Sequence, residues 1–227
     1  MVLRFLLMKA GFKMKLAKPK IPKHLNKGWF LDALTNEYRE LYLTEVRGAD
    51  ASDNVFQDIH LYQTVIKNSQ FTNTDLTGID LTDVRFENCD FSNADLSKGS
   101  MSRVEFKNCK LLGANFSESY LGDVRFDQSI LKLTIFGLSK FKKVIFSEAY
   151  LENADFFDCE LKKVAFEQCH LNKASFGETS LKGIDLSDSE FDSIAVSLDN
   201  LKGCIISSFQ AAYFARLIGL KIKEDES

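Results

Sequence analysis

The sequence predicts an all-β solenoid built from square coils of 20 residues, and two nested periodicities predict it. From Phe71 to Ile206 every fifth residue is Leu or Phe, apart from Met101, Val196 and Ile206. Two residues before each stands a small or β-branched residue: Val84, Cys89, Ala94, Gly99, Val104, Cys109, Ala114, Ser119 and Val124 open that series. The longer period shows in Val84, Val104, Val124, Val144, Val164 and Ile184, which recur every 20 residues. Registers kept this long without an insertion identify an internal repeat, and a repeat of this kind decides the architecture before any single strand is assigned.

The spacing has a mechanical cause. In extended chain, residues two apart share a face, so the small residue and the Leu or Phe after it both point inward. A period of five would send the next unit outward unless the chain turned at each repeat. Four turned sides close one coil, and residues 20 apart then stack: Cys89, Cys109 and Cys169 with Ser129, Ala149 and Ser189, and Ala94, Ala114, Ala154 and Ala174 with Thr134. With Phe56, Leu61 and Ile66 as first members, residues 56–206 make roughly eight coils, a rod of about 37 Å at about 4.8 Å per coil.

Taken in order, residues 1–28 form a basic arm, with Pro19 and Pro22 among lysines, which reads as extended or disordered. Its apolar start, Met1 to Met8, is interrupted by Arg4 and lacks a small-residue cleavage site, so no secretory signal is expected, and Met14 is an alternative start. Residues 29–55, with Phe30, Leu31, Leu34, Tyr38, Leu41 and Tyr42 at helix-like intervals, are assigned as an N-terminal cap, because a solenoid must cover its open end. Residues 56–206 are the repeat. In residues 207–227, Ser207 and Gln210 form a capping box before an apolar helix that Gly219 stops. That helix is expected to cover the C-terminal end and to pair with a second copy through Phe209, Ala212, Phe214, Leu217 and Ile218.

Charge divides along the chain. Residues 1–44 hold 9 Lys and Arg against 3 Asp and Glu, while the whole chain is at −3. An acidic body repels nucleic acid, so no direct nucleic-acid partner is expected, and the arm suits either solvent or an acidic partner. There is no apolar run long enough to span a membrane. All five cysteines fall at the small inward position, which reads as packing in a reducing, cytoplasmic setting and not as disulfide or metal chemistry. No phosphate loop, metal-ligand spacing or nucleophile with a neighbouring base is present; His24, His60 and His170 are scattered and read as solvated. Neither a catalytic role, a cofactor nor a metal is therefore expected.

The runs Asn93-Ala94-Asp95-Leu96, Gly113-Ala114-Asn115-Phe116 and Asn153-Ala154-Asp155-Phe156 resemble the consensus of the pentapeptide-repeat proteins, and the resemblance covers about two thirds of the chain. It implies a right-handed quadrilateral β-helix. After the repeats, Leu201-Lys202-Gly203, Gln210-Ala211 and Leu217-Ile218-Gly219-Leu220-Lys221-Ile222 resemble the C-terminal module of the Qnr-type quinolone-resistance proteins, above all their loop-free Gram-positive members. That resemblance implies a tail-to-tail homodimer, about 75 Å long from two such rods. It further implies a DNA-like surface that binds DNA gyrase and topoisomerase IV. The chain has no insertion between Phe56 and Ile206, so the loops that matter to protection in Gram-negative members have no counterpart.

Sorted by 20, the outward positions carry the candidate partner surface. Asp75, Asp95 and Asp155 share a column with Asn115 and Ile135, and Glu118, Asp158 and Glu178 share a neighbouring one. This acidic edge is the candidate topoisomerase-facing surface; the competing reading is that Asp here satisfies backbone amides at the corners. Lys142, Lys162, Lys182 and Lys202 form an opposing basic column, extended by Lys140, Lys143 and Lys163. Ile130, Leu133, Ile135, Leu138 and Ile145 break the polar rule outside, near Leu112, Tyr150 and Phe157. Such a patch marks a contact, either with a protein partner or with the chain's own arm. A generic scaffold that binds an unrelated protein through this patch is the alternative to topoisomerase binding.

Overall fold

In a computed structural model, residues 14–222 are described; Met1 to Met8, and with them the reading of a signal, lie outside the described residues. The chain forms β1 (Asn26–Lys27), α1 (Asp32–Thr35), β2 (Glu40–Tyr42), β3 (Thr44–Arg47), β4 (His60–Tyr62) and β5 (Val65–Lys67). Five eight-residue strands follow: β6 (Asp80–Glu87), β7 (Ser100–Lys107), β8 (Tyr120–Asp127), β9 (Lys140–Ser147) and β10 (Glu160–Glu167). Helices α2 (Leu198–Leu201) and α3 (Ser208–Leu217) close the described chain. From β2 onward every pairing is parallel with partners 20 residues apart, as Val84, Val104, Val124, Val144 and Val164 show in line. The two remaining sides of each coil are held by single bridges such as Lys110 to Ile130 and Asn115 to Ile135. This is the right-handed quadrilateral β-helix expected from the repeat, with about seven strand-bearing turns.

The turn required at every fifth residue is a single left-handed residue. Asp83, Asn88, Asn93 and Lys98, the four corners of one coil, have φ between 55° and 59°. Asn, Asp and Gly recur at corners because they tolerate this region, where bulkier side chains are disfavoured.

Inside, two phenylalanine ladders run the length of the rod. Phe86, Phe106, Phe126, Phe146 and Phe166 stack at 5.0 to 5.1 Å, and Phe116, Phe136, Phe156 and Phe176 at 4.9 to 5.3 Å. The ladders meet edge to face, as Phe146 and Phe156 do at 5.9 Å and 88°. Both geometries suit the ring quadrupole, and they fill the centre without a polar atom.

The small inward column does more than pack. The hydroxyls of Ser119, Ser129, Ser139 and Thr179 donate to the carbonyls of Leu96, Phe106, Phe116 and Phe156, each 23 residues earlier. Cys89, Cys109, Cys159 and Cys169 likewise place their thiols on the carbonyls 23 residues earlier, those of Ile66, Phe86, Phe136 and Phe146. Burial pushes the Cys159 and Cys169 thiols up to about 12, and Cys204 to about 11. Four cysteines are buried, whereas Cys204, beyond the last regular strand, is only partly covered. Thiol titration of the native protein near neutral pH is therefore expected to show four slow cysteines and one faster, Cys204. Rapid labelling of all five would contradict the inward column.

The coil starts earlier than the sequence suggested. Within the segment assigned as a cap, 29–55, β2 and β3 already pair in register with β4 and β5. Leu41, Val46 and Ala51 extend the five-residue series upstream, and all are buried. Capping is left to Phe30, which meets Phe56 and Phe71 edge to face, and to α1 behind it. Past β10 the coil continues only through single bridges as far as Asp185 to Ile205. At that end Phe214 of α3 packs on Phe191, and Gln210 is buried beside it.

Candidate partner-binding surface

The two acidic columns play different parts. Oδ1 of Asp95 accepts the Ser97 amide at 2.9 Å, Asn115 accepts that of Ser117 at 3.0 Å, and Asp155 that of Phe157 at 3.2 Å. Asp75 accepts from Thr77 and from Gln57 Nε2. Burial works to raise the Asp75 carboxyl, but these donors outweigh it and leave it below the ordinary value. This column is therefore occupied in closing the next corner. By contrast Glu118, Asp158 and Glu178 stand at corners, exposed, and make no ion pair among the described residues. Of the two columns, theirs holds the carboxylates free to meet a partner.

Two residues of the apolar patch fall within these same columns. Ile135 takes the place of an Asp between Asn115 and Asp155, and Leu138 stands at the corner between Glu118 and Asp158. Ile130, Leu133, Ile135 and Leu138 are 38, 56, 43 and 52% exposed, and Phe157 and Tyr150 adjoin them from the next coil. Phe157 lies so close over Gly177 that a Cβ there would stand 3.1 Å from its ring. Ile145 does not belong to this island: it is 2% exposed and lies beyond a different corner.

Leu133 and Leu138 hold the corner conformation at φ 60° and 63°, which costs a branched residue about 1 kcal/mol. Their replacement by Asn is expected to leave stability unchanged or raise it by up to about 1 kcal/mol, while weakening any contact made by the island. Thermal melting and partner binding should thus move in opposite directions; a clear loss of stability would contradict a purely external role.

The lysine column is next to the acidic edge instead of opposite it. Lys142 and Lys162 lie on the face that runs from the Leu138 and Asp158 corners to the Lys143 and Lys163 corners, so that the two signs border one face of the rod. Lys140 and Lys162 are further tied to Glu160, at 3.2 and 4.0 Å. His170, read as solvated, stacks on Tyr150 at 4.7 Å and pairs with Glu190 at 3.3 Å. Lys132 stands 5.6 Å over the other half of that aromatic pair.

The C-terminal helix divides its residues. Its capping box forms as the sequence predicts, with Ser207 and Gln210 bonded both ways. Gln210 and Phe214, one turn apart, face the rod, so Phe214 is spent on the last coil and is not available for pairing. Phe209, 83% exposed, remains with Leu217 and Ile218 on the outside, and Ala212 is half-buried.

At another corner the arm meets the rod. The Lys20 amide donates to Asp83 Oδ1 at 2.8 Å, the Ala17 amide to Asp123 Oδ1 at 2.8 Å, and Gln63 Nε2 to the Lys20 carbonyl at 3.0 Å. Arg103 grips both oxygens of Asp83 at 2.6 and 2.8 Å. Burial works to raise the Asp83 carboxyl, and the Arg103 and Lys20 bonds hold it below its ordinary value. The described arm thus runs along a corner separate from the apolar island and leaves the island open.

Among the described residues no group of three potential metal ligands converges, and no helix is long and apolar enough to cross a membrane. A chain of parallel five-residue sides around stacked Leu and Phe defines a class of protein, and comparison bears the class out. The family described as pentapeptide repeat region matches residues 99–176, and that of pentapeptide repeats in eight copies matches 47–83 and 69–108. The chain belongs to the pentapeptide-repeat family. No curated protein matches it in sequence. Among solved structures it is similar to a trypsin-treated variant of QnrB1, a plasmid-mediated fluoroquinolone resistance protein, at 19% identity and a TM-score of 0.43 over 81% of this chain and 90% of that one. It is also similar to HetL, involved in heterocyst differentiation regulation in the cyanobacterium Nostoc sp. strain PCC 7120, at 17% identity and a TM-score of 0.34 over 91% of each chain. A pentapeptide repeat protein of the Arabidopsis thaliana thylakoid lumen is 25% identical, with a TM-score of 0.24, over 49% of this chain and 68% of that one.

Proposed function

We propose that this protein is a cytoplasmic, non-enzymatic homodimer of the Qnr type that binds DNA gyrase or topoisomerase IV through its acidic edge and modulates their response to quinolones. The observation that carries this reading is the corner column Glu118, Leu138, Asp158 and Glu178: three carboxylates with no ion pair among the described residues, around one exposed leucine. The C-terminal motif Leu217 to Ile222, with Phe209 and Leu217 exposed, supports a tail-to-tail dimer.

Imitation of DNA is partial. Successive coils place corner carboxylates no closer than about 4.8 Å along the axis, against one charge per about 1.7 Å in B-DNA. Electrostatics therefore steers the encounter, and the apolar island supplies the buried contact. Charge reversal at Glu118→Lys, Asp158→Lys and Glu178→Lys, with folding unchanged, is expected to weaken gyrase binding at least about tenfold, or about 1.4 kcal/mol. Unaltered affinity would remove the acidic edge from the account.

The exposed island around Ile135 favours a second reading, a scaffold for another protein. In that case gyrase binding is absent from the unaltered protein as well.

A further inference from the structure

The arm is held almost entirely by its backbone, which has a consequence for what else the same corner can hold. The two donating amides, Ala17 and Lys20, are three residues apart, and Pro19 and Pro22 bracket the second. In a polyproline-type chain, residues three apart face the same way and stand about 9 Å apart along its axis. Their acceptors, Asp83 and Asp123, are two coils apart, about 9.6 Å along the rod. The two spacings therefore match: amides three apart in an extended chain meet the corner carboxylates Asp123 and Asp83, two coils apart. Gln63 continues the column one coil back and takes the Lys20 carbonyl, which fixes the direction of the arm opposite to the growth of the rod.

None of these bonds reads an arm side chain. Ala17, Lys18, Lys20, Lys23 and His24 are exposed, and Leu16, Pro19 and Ile21 are only half-buried. Asp83 and Asp123 already have cations of the rod beside them, Arg103 at 2.6 Å and Lys143 at 3.8 Å, and the Lys20 charge of the arm adds to that of Arg103 in holding Asp83 ionised. A ligand bound through its amides, by proline spacing and by charge is replaceable by any segment with those three properties.

We infer that the corner running from Gln63 through Asp83 to Asp123 is a binding groove for an extended, lysine-rich segment with prolines three apart, supplied by a partner protein, and that the chain's own arm is its resident competitor. This holds whether or not the partner on the acidic edge is a topoisomerase, since the two surfaces lie at different corners.

The test uses the full chain and a fluorescent synthetic peptide of residues 14–25 as probe. Ala17→Pro with Lys20→Pro removes both donating amides of the arm without altering the rod. Trypsin should cut after Lys15 at least about tenfold faster in this double variant than in the unaltered protein, as the arm leaves the groove. The probe should then bind the double variant saturably and at least about tenfold tighter than it binds the unaltered protein. Adding Asp123→Asn, a surface change that spares the Asp83 and Arg103 pair, should weaken that binding. Equal cleavage of the two proteins would show that the amides do not hold the arm and overturn the inference. Faster cleavage with no gain in probe binding would equally overturn it, because the emptied corner would then accept nothing in trans.

Discussion

Replacing Phe136 with alanine is expected to lower the free energy of unfolding by about 3–5 kcal/mol. Its ring stacks on Phe116 at 5.3 Å and on Phe156 at 4.9 Å, and it meets Phe126, Phe141 and Phe146 at the edge. The cavity would open in the middle of the rod, where both ladders pass. Coils contact only their neighbours, so a lesion there also uncouples the two halves, and urea unfolding should broaden or split into two steps. Phe209→Ala, at an 83% exposed ring, supplies the contrast and should stay within about 0.5 kcal/mol. A loss below about 1 kcal/mol at Phe136 would contradict the shared ladder.

The second large effect is at the C-terminal end. Gln210 Nε2 donates to the carbonyls of Leu186 and Ser189, both at 2.8 Å, while its Oε1 accepts the Ser207 amide. One buried side chain thus ties α3 to the last coil and completes the cap of the same helix. Gln210→Ala leaves the Ser189 carbonyl unpaired, strips the Leu186 carbonyl of one of its two donors and removes half the capping box, which is expected to cost about 2–4 kcal/mol. The loss should be local. Hydrogen exchange in residues 208–217 should rise at least about tenfold, corresponding to about 1.4 kcal/mol, while the amides of β6 to β9 stay as protected as before. The expected dimer should weaken as well, since Phe209, Leu217 and Ile218 would lose their common orientation. Uniform loosening of rod and helix together would count against this division.

The interior was legible in the sequence because packing repeats and a repeat announces itself. Leu and Phe every fifth residue, with a small residue two before, predicted the square coil, and the turn it demanded appears as one left-handed residue per side. The upstream coil escaped notice because Val46 and Ala51 fill register positions that elsewhere hold Leu or Phe. The bonds from Ser, Thr and Cys to carbonyls 23 residues back leave no mark in composition, since a buried Cys and a buried Ala satisfy the same volume. Outside, columns could be sorted by 20, but their angular order required the faces to be placed around the coil. Hence the lysines around Lys142 proved to be neighbours of the acidic edge, and Ile145 to lie apart from Ile135. The path of the arm was illegible for a different reason. It is fixed by amides of Ala17 and Lys20, and an amide has no side-chain signature.

Glu118, Asp158 and Glu178 could be picked out by spacing, yet nothing in the spacing separated them from Asp95 and Asp155. The difference lies in the backbone. Asp95 and Asp155, three residues before a corner, each cap the amide two residues on, whereas Glu118, Asp158 and Glu178, at the corner itself, cap no amide among the described residues and stay in solvent.

Supercoiling of relaxed plasmid by purified DNA gyrase, with the full chain titrated in and with or without ciprofloxacin, decides whether the acidic edge meets a topoisomerase. The protein is expected to inhibit supercoiling, or to relieve its inhibition by the drug, at micromolar concentration. The triple charge reversal at Glu118, Asp158 and Glu178 is expected to lose that effect. Supercoiling unchanged by the unaltered protein, in both conditions, would contradict a topoisomerase partner.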